Sequence, residues 1–358
     1  MEVNLPSERR YERLLPHELS ELVRQSPIAW VPVGALEFHG PHLPVGVDGF
    51  EAHGLLLACA ERAGGVVLPA MPIASSCLRL PWTLSYPPHV VETWIRATVE
   101  QLAAAGFELV IVLTGHCPMD LLHLLKRACA EAAAPAHATS WLELNAARLR
   151  APQTGEPRVV DHAAFVETSY MLALEPSLVQ LERLSADPHA AHMGVYGPNP
   201  RSAASSAWGA ASLDASAELL AGRADQMRGG ATLDPFEDLR HFVTYAWPEP
   251  LEAWALDDAG AADDGMVIEL SNPGRASRYI SAFDPEPPLD PEAILLRNPS
   301  RGEVGETITA ALLGPESGLY LRRGQSATIQ LPRVGDLTIR VGLGGVAEQV
   351  LRITPRSA

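Results

Sequence analysis

"WVPVGALEFHGPHLPVGVDGF", residues 30–50, sets Glu37, His39, His42 and Asp48 among Gly, Pro and aliphatic residues. The apolar run from Ile28 to Gly34 that leads into it is short, β-branched and ends at Gly, which reads as a buried strand. A buried charge is costly unless it is paired or coordinates a metal. Ionisable groups set directly behind such a strand therefore require a partner or an ion.

Around this stretch the chain alternates strand-like and helix-like segments. "FEAHGLLLACAERAG" carries apolar residues at helical spacing and stops at Gly64-Gly65. "GVVLPAMPIA" reads as a second strand, "VVETWIRATVEQLAAAG" as an amphipathic helix, "FELVIVLTG" as a third strand and "LLHLLKRACAEAAA" as its following helix. Such alternation implies a largely parallel sheet with helices on both faces. Ligands in these sheets bind beyond the carboxyl ends of the strands, where Glu37, His39 and His116 fall.

The chain is 358 residues long, beyond the usual size of one domain, and the texture changes after about residue 230. A Pro- and Asp-rich connection is followed by short β-type runs: "GMVIELSNPG", "ETITAALL", "GLYLRRG", "SATIQLP", "DLTIRVGLGG" and "AEQVLRITP". We expect two domains, an α/β domain over residues 1–232 and a smaller all-β, sandwich-like domain over 233–358. "DDAGAADDG" is expected to be a solvated acidic loop, since its spacing misses the EF-hand pattern.

A net charge of −16 with no long basic run argues against nucleic-acid and anionic-membrane partners. The N-terminus lacks an apolar signal core, and no apolar stretch is long enough to span a bilayer. The four cysteines, Cys59, Cys77, Cys117 and Cys129, form no CxxC pair, so a reducing cytoplasm is expected.

Three segments carry the same kind of chemistry. The first supplies Glu37, His39 and Asp48; "VLTGHCPMD" supplies His116; "DHAAFVETSYMLAL" supplies Asp161, His162 and Glu167. Carboxylates and imidazoles in this mixture suit Zn, Mn or Fe(II) and not a thiolate structural site. Even five ligands from this set exceed one closed tetrahedral site, so two metals sharing a carboxylate is the economical reading. Each residue alone has a plainer account: Asp48 or His116 as a helix cap, Glu167 as a surface residue. Cys117 reads as a small packed residue, and the absence of a GxSxG elbow argues against a serine hydrolase.

With these motifs in order, the sequence resembles the creatininase family (creatinine amidohydrolase and relatives) over about residues 10 to 230. "VPVGALEFHGPHLPVGVDG" resembles the family's metal-binding signature, "LTGHCPMD" its Asn-Gly-His segment and "HAAFVETSYMLAL" its His-Ala…Glu-Thr-Ser segment. The resemblance implies a three-layer α/β/α sandwich and a homo-oligomer. It implies two divalent metals, zinc first with manganese or iron as alternatives. Glu37 and His116 would hold one, His39 and Glu167 the other, and Asp48 would bridge them. His162 matches the catalytic His, with Asp161 beside it to orient or tune it. The implied reaction is hydrolysis of a C–N bond in a small cyclic or linear amide.

The chain departs from the family in places. Thr114 stands where Asn is usual, and Pro118 occupies the place of a metal-binding Glu, leaving Glu167 as the substitute. In "PIASSCLRLPWTLSYPP" Trp82 replaces a Gly and the His usual just upstream is missing, which argues against creatinine as the substrate. The rival readings are a creatininase-like peptidase acting on a modified peptide and a non-catalytic, metal-dependent ligand-binding protein. His162 favours a catalyst over a binder, because a binder needs no proton shuttle beside its metals.

Overall fold

The computed structural model describes residues 7–78, 80–148, 161–187, 192–235 and 237, together with the strands found between 255 and 353. The chain divides into two compact units, Met1–Phe242 and Val243–Ala358.

The first unit is a three-layer α/β/α structure around four parallel strands: β1 (Ile28–Val33), β2 (Val66–Val67), β3 (Leu109–Thr114) and β4 (Ala136–Ser140). Their order is β2-β1-β3-β4. Both β1 and β3 are buried along their whole length, as continuous apolar runs flanked by helices should be. Alternate strand residues Ala29, Val31, Val33, Val110 and Val112 pack with α3 (Pro88–Ala104) and α4 (Met119–Ala130). By the two-residue period of a strand, the intervening residues face the opposite layer. That layer contains α2 (Val47–Ala63), α6 (Phe165–Leu174) and α8 (Ser206–Arg228), with α2 against β1 and α8 against β3.

Some elements differ from the sequence expectation. "GVVLPAMPIA" forms a ladder only over Val66–Val67. Pro69 and Pro72 have no N–H to donate, so the pairing continues as separate bonds from Leu68 to the Trp30 carbonyl and from Met71 to the Pro32 carbonyl, both 2.9 Å. Strand β4, the short helix α5 (Trp141–Arg148) and α8 were not anticipated. Helix α8 buries Gly209, Ser212, Leu213, Ser216, Ala217, Leu220, Ala221 and Ala224, a face of mostly small residues with only two large apolar side chains, which makes a weak stripe to read.

In the second unit, strands Ala255–Ala262, Gly265–Ser271, Leu295–Arg297, Thr307–Thr309 and Ser326–Leu331 form one antiparallel sheet. Strands Arg278–Glu286, Leu319–Leu321, Asp336–Gly342 and Gln349–Ile353 form another. The acidic stretch expected as a loop is strand over residues 257–262, paired with Gly265–Ser271. No helix among the described residues is long and apolar enough to cross a membrane.

Helix α2 leads the chain from β1 to β2 on one side, and α3 returns it to β3 on the other. The gap between β1 and β3 is therefore the topological switch point of the sheet. Gly34 and Gly115 directly follow these strands, and the first turn of α2 lies against both. A Cβ on Gly34 would meet the Gly49 nitrogen at 2.4 Å, and one on Gly115 would meet the Asp48 carbonyl oxygen at 2.0 Å. Neither neighbour can yield without moving the start of α2. Gly115→Ala should therefore destabilise the first unit by at least about 1–3 kcal/mol, the usual cost of overpacking. A thermal or urea melt checks this, and wild-type stability in that variant would mean the contact is slack.

Candidate metal centre

Each of the three chemical segments reaches the switch point by a different element. Glu37 and His39 follow β1, His116 follows β3, and Asp48 lies in the first turn of α2. Glu167 lies in the first turn of α6, and His162 sits in the turn before it. Glu37, His39, Asp48, His116 and Glu167 are all buried, with Glu37 0% exposed and His116, the most open, 8%.

Helix capping does not account for them. The N-cap of α2 is Gly46 and that of α4 is Pro118, neither with a side-chain cap bond. Asp48 Oδ2 instead accepts from the Ala35 amide at 3.1 Å, which fastens the helix to the segment leaving β1.

The arrangement falls into two halves around Asp48. On one side, His39 Nε2 is 3.1 Å from Asp48 Oδ1 and 3.5 Å from Glu167 Oε2. On the other, His116 Nδ1 is 3.1 Å from Glu37 Oε2 and 3.4 Å from Asp48 Oδ2. The two carboxylate oxygens of Asp48 thus address different imidazoles, and each imidazole has its own second carboxylate. Three sets of atoms lie close enough to share an ion: Glu37, His39 and His162; Glu37, Cys77 and His116; His39, Asp48 and Glu167. Within each set the ligand atoms lie within 4.8 Å of one another.

The hydrogen bonding leaves several buried polar atoms of the cluster bare. His39 Nδ1 donates to the Glu37 carbonyl at 3.0 Å, which fixes the tautomer and leaves Nε2 facing the carboxylates. Glu37 Oε2, His39 Nε2 and His116 Nε2 are buried without a hydrogen-bond partner. A ring nitrogen that donates to a backbone carbonyl while the other faces carboxylates is the usual posture of a metal-ligating His. Buried carboxylate oxygens with nothing to accept from need a cation, and two divalent ions fit this donor set.

The electrostatics express the same need. Burial opposes a charge on His39, but the Asp48 and Glu167 carboxylates overcome it and push the imidazole up to about 10. Burial also opposes the charge on His116, yet Glu37 and Asp48 raise it well above its ordinary value. Burial would raise Asp48, but His39 and His116 hold its carboxyl far below the usual range. Burial pushes Glu167 up to about 8 against the pull of His39. Without metal, protons on the imidazoles partly serve as the cations that these carboxylates require.

His162 is placed differently. Its Nε2 donates to the Phe38 carbonyl at 2.9 Å, leaving Nδ1 with the lone pair. Its ring lies 4.4 Å from that of His39, and burial together with the charge on His39 lowers it to about 4. Asp161 does not bond this imidazole among the hydrogen bonds of the described residues; its Oδ2 accepts from the Val166 amide at 2.8 Å, in the first turn of α6. Ala163, at φ 53°, turns the chain sharply enough for its amide to reach Glu167 Oε2 at 2.5 Å.

Two residues of this region were not singled out from the sequence. Glu51, one helical turn beyond Asp48, is buried with both oxygens unpartnered. Burial, then the neighbouring Glu167 and Asp48, push its carboxyl well above the usual range. Its i,i+3 spacing from Asp48 is a signal that could have found it. Cys77, in the loop before Trp82, joins Glu37 and His116. Its only sequence signal was the missing His of that segment. Cys117 is packed as expected, its sulfur against the Thr114 and Gly115 carbonyls at 3.9 and 3.3 Å.

Comparison with known proteins agrees with this fold. A creatinine amidohydrolase of Pseudomonas putida is 26% identical, over 46% of this chain and 70% of its own length. Among solved structures, a creatinine amidohydrolase (creatininase) superposes with TM-score 0.52 at 22% identity, covering 62% of this chain and 98% of that one. A manganese creatininase and a variant of zinc–zinc type each give TM-score 0.50 at 22% identity, over 63% of this chain and 99% of theirs. At that identity these likenesses establish the fold. The family model described as creatinine amidohydrolase matches residues 12–227, and by that match the chain belongs to the creatininase family.

Proposed function

We propose that this protein is a dinuclear metal-dependent amidohydrolase that cleaves a C–N bond in a small cyclic or linear amide. The observation that carries the reading is Asp48, whose two oxygens face two imidazoles, each backed by a further carboxylate. In this reading Glu37 and His116 hold one ion, His39 and Glu167 hold the other, and Asp48 serves both. Zinc is the proposed metal, since imidazole and carboxylate donors accept it readily, and creatininases have been solved in both zinc and manganese forms. Bound there, two divalent ions would supply Lewis acidity toward the amide carbonyl and make water a nucleophile near neutral pH.

The residues of the chain supply the rest. His162, whose ring lies beside Glu37 and His39, is held by its Nε2 bond to Phe38 and keeps the Nδ1 lone pair available. Its lowered pKa keeps it neutral at rest, so it can accept a proton and deliver it to the leaving nitrogen. Asp161 contributes by fixing the first turn of α6, which sets both Glu167 and the turn holding His162.

The setting is part of the proposal. Residues 233–358 form a separate sandwich-like domain that contributes no metal ligand, a reading supported by the antiparallel pairing of their strands. Exposed Trp82, Met193 and Tyr196 support a homo-oligomer, and four free thiols support a cytoplasmic location.

Elemental analysis of protein purified without chelator should find close to two transition-metal ions per chain, the complement of a dinuclear site. Asp48→Ala should lose both; retention of one would remove the bridge. His162→Ala should keep its metals and lose roughly two to four orders of magnitude in turnover on a responsive amide, the scale of general acid–base catalysis. Release of metal in that variant would make His162 a ligand instead. A chain ending at Arg228 should keep both metals, and a folded but metal-free truncation would show that the later residues complete the site.

A further inference from the structure

The loop that carries Cys77 is tied to the strand end that carries Glu37. Leu84 donates to the Leu36 carbonyl at 2.8 Å, Phe38 to Thr83 Oγ1 at 3.0 Å, and Leu78 to Glu37 Oε1 at 2.5 Å. Tyr86 closes the loop at its base by donating to the Ala74 carbonyl at 2.8 Å. Ser76, at φ 63°, makes the turn just before Cys77. The cysteine is thus held from both flanks, with its amide turned toward Ser85 Oγ at 3.4 Å.

Its sulfur lies within 4.8 Å of a Glu37 carboxylate oxygen and a His116 ring nitrogen. The sulfur's contact with the Ser75 carbonyl, at 3.9 Å, is weak, and it also faces His116. The two partners are deeply buried, and Glu37 Oε2 has no hydrogen bond. Cys117, beside His116, is not an equivalent candidate, because its sulfur sits against two backbone carbonyls.

We propose that Cys77 is a thiolate ligand of the ion held by Glu37, His116 and Asp48. This rests on the dinuclear reading above and makes its two halves unequal. On binding, the S–H bond is exchanged for an S–metal bond and the proton leaves to solvent; no oxidant or reductant takes part. With Cys77 the first half has four protein donors, the number that closes a tetrahedral zinc site. The half formed by His39, Glu167 and Asp48 has three and keeps a position open for water or substrate. A sulfur donor also selects zinc over manganese in the closed half, since soft thiolate suits zinc and oxygen donors suit manganese.

The test is cobalt substitution of the full-length protein, with metal content measured in parallel. Wild type loaded with Co(II) should show a thiolate-to-cobalt charge-transfer band in the near ultraviolet. Cys77→Ser should lose that band, while Cys117→Ser keeps it. Competition with a chromogenic chelator should show one zinc of Cys77→Ser held at least about tenfold more weakly, since even outer-shell partners contribute on that scale. The preference of that ion for zinc over manganese should shrink in the same variant. Two bound metals without a sulfur band, or a band that survives Cys77→Ser, would overturn the proposal and leave the dinuclear reading intact. A wild-type protein that binds no metal would overturn both.

Discussion

The close seating of the first turn of α2 between the ends of β1 and β3 is the constraint on which the rest of the site depends. It requires bare backbone at Gly34 and Gly115, because a Cβ at either position would lie inside the Asp48–Gly49 backbone. That seating puts the Asp48 carboxylate where residues following both strands can face it. Its Oδ2 is anchored to the Ala35 amide, so the position does not depend on the histidines alone. The helix start adds favourable potential for an anion in its first turn. Had α2 begun one side chain's width further out, His39 and His116 would lose the carboxylate they share.

Burial and charge compete throughout this cluster, and the outcome differs by position. Asp48 faces two imidazoles, so attraction wins and its carboxyl stays ionised. Glu51, in the same helix, faces carboxylates only; burial and repulsion act together and favour its neutral form. His39 and His162 are neighbouring rings, tilted by 37°, with opposite fates. His39 is raised because carboxylates face its Nε2, whereas His162 is lowered by burial and by the charge on His39 itself. The imidazole nearest the carboxylates is therefore suited to hold a cation, and the one behind it to remain a neutral base.

Much of this was legible in the sequence because apolar strands announce themselves and their ends are easily located. Ile28–Val33 and Leu109–Thr114 are continuous aliphatic runs, and the groups just beyond them had to lie at one edge of a parallel sheet. Asp48 and Glu167 were legible as types but not as positions, since either could have faced solvent on a helix. Other features had no local signal. Strand β4, "AHATS", is short and partly polar, and α8 packs mostly through small residues. Cys77 sits in a loop whose fold depends on bonds to Leu36, Glu37 and Phe38, contacts that no periodicity encodes.

The supports of the two halves differ as much as their donors do. Glu37, Asp48 and His116 stand on the sheet ends and on a helix wedged against them. Glu167 and His162 instead depend on the start of α6, whose geometry is held by the Asp161 bond to Val166 and by a positive φ at Ala163. His162 is also paired through its backbone with Tyr196, its amide and carbonyl both bonded there at 3.0 and 2.8 Å, and the side chain of Tyr196 is exposed. A shift of that outer segment would move His162 and leave the sheet-borne ligands in place. The fold thus sets Glu37, Asp48 and His116 on a buried base and His162 on an outer segment, so the ion holders and the proton shuttle of the proposed reading rest on different supports.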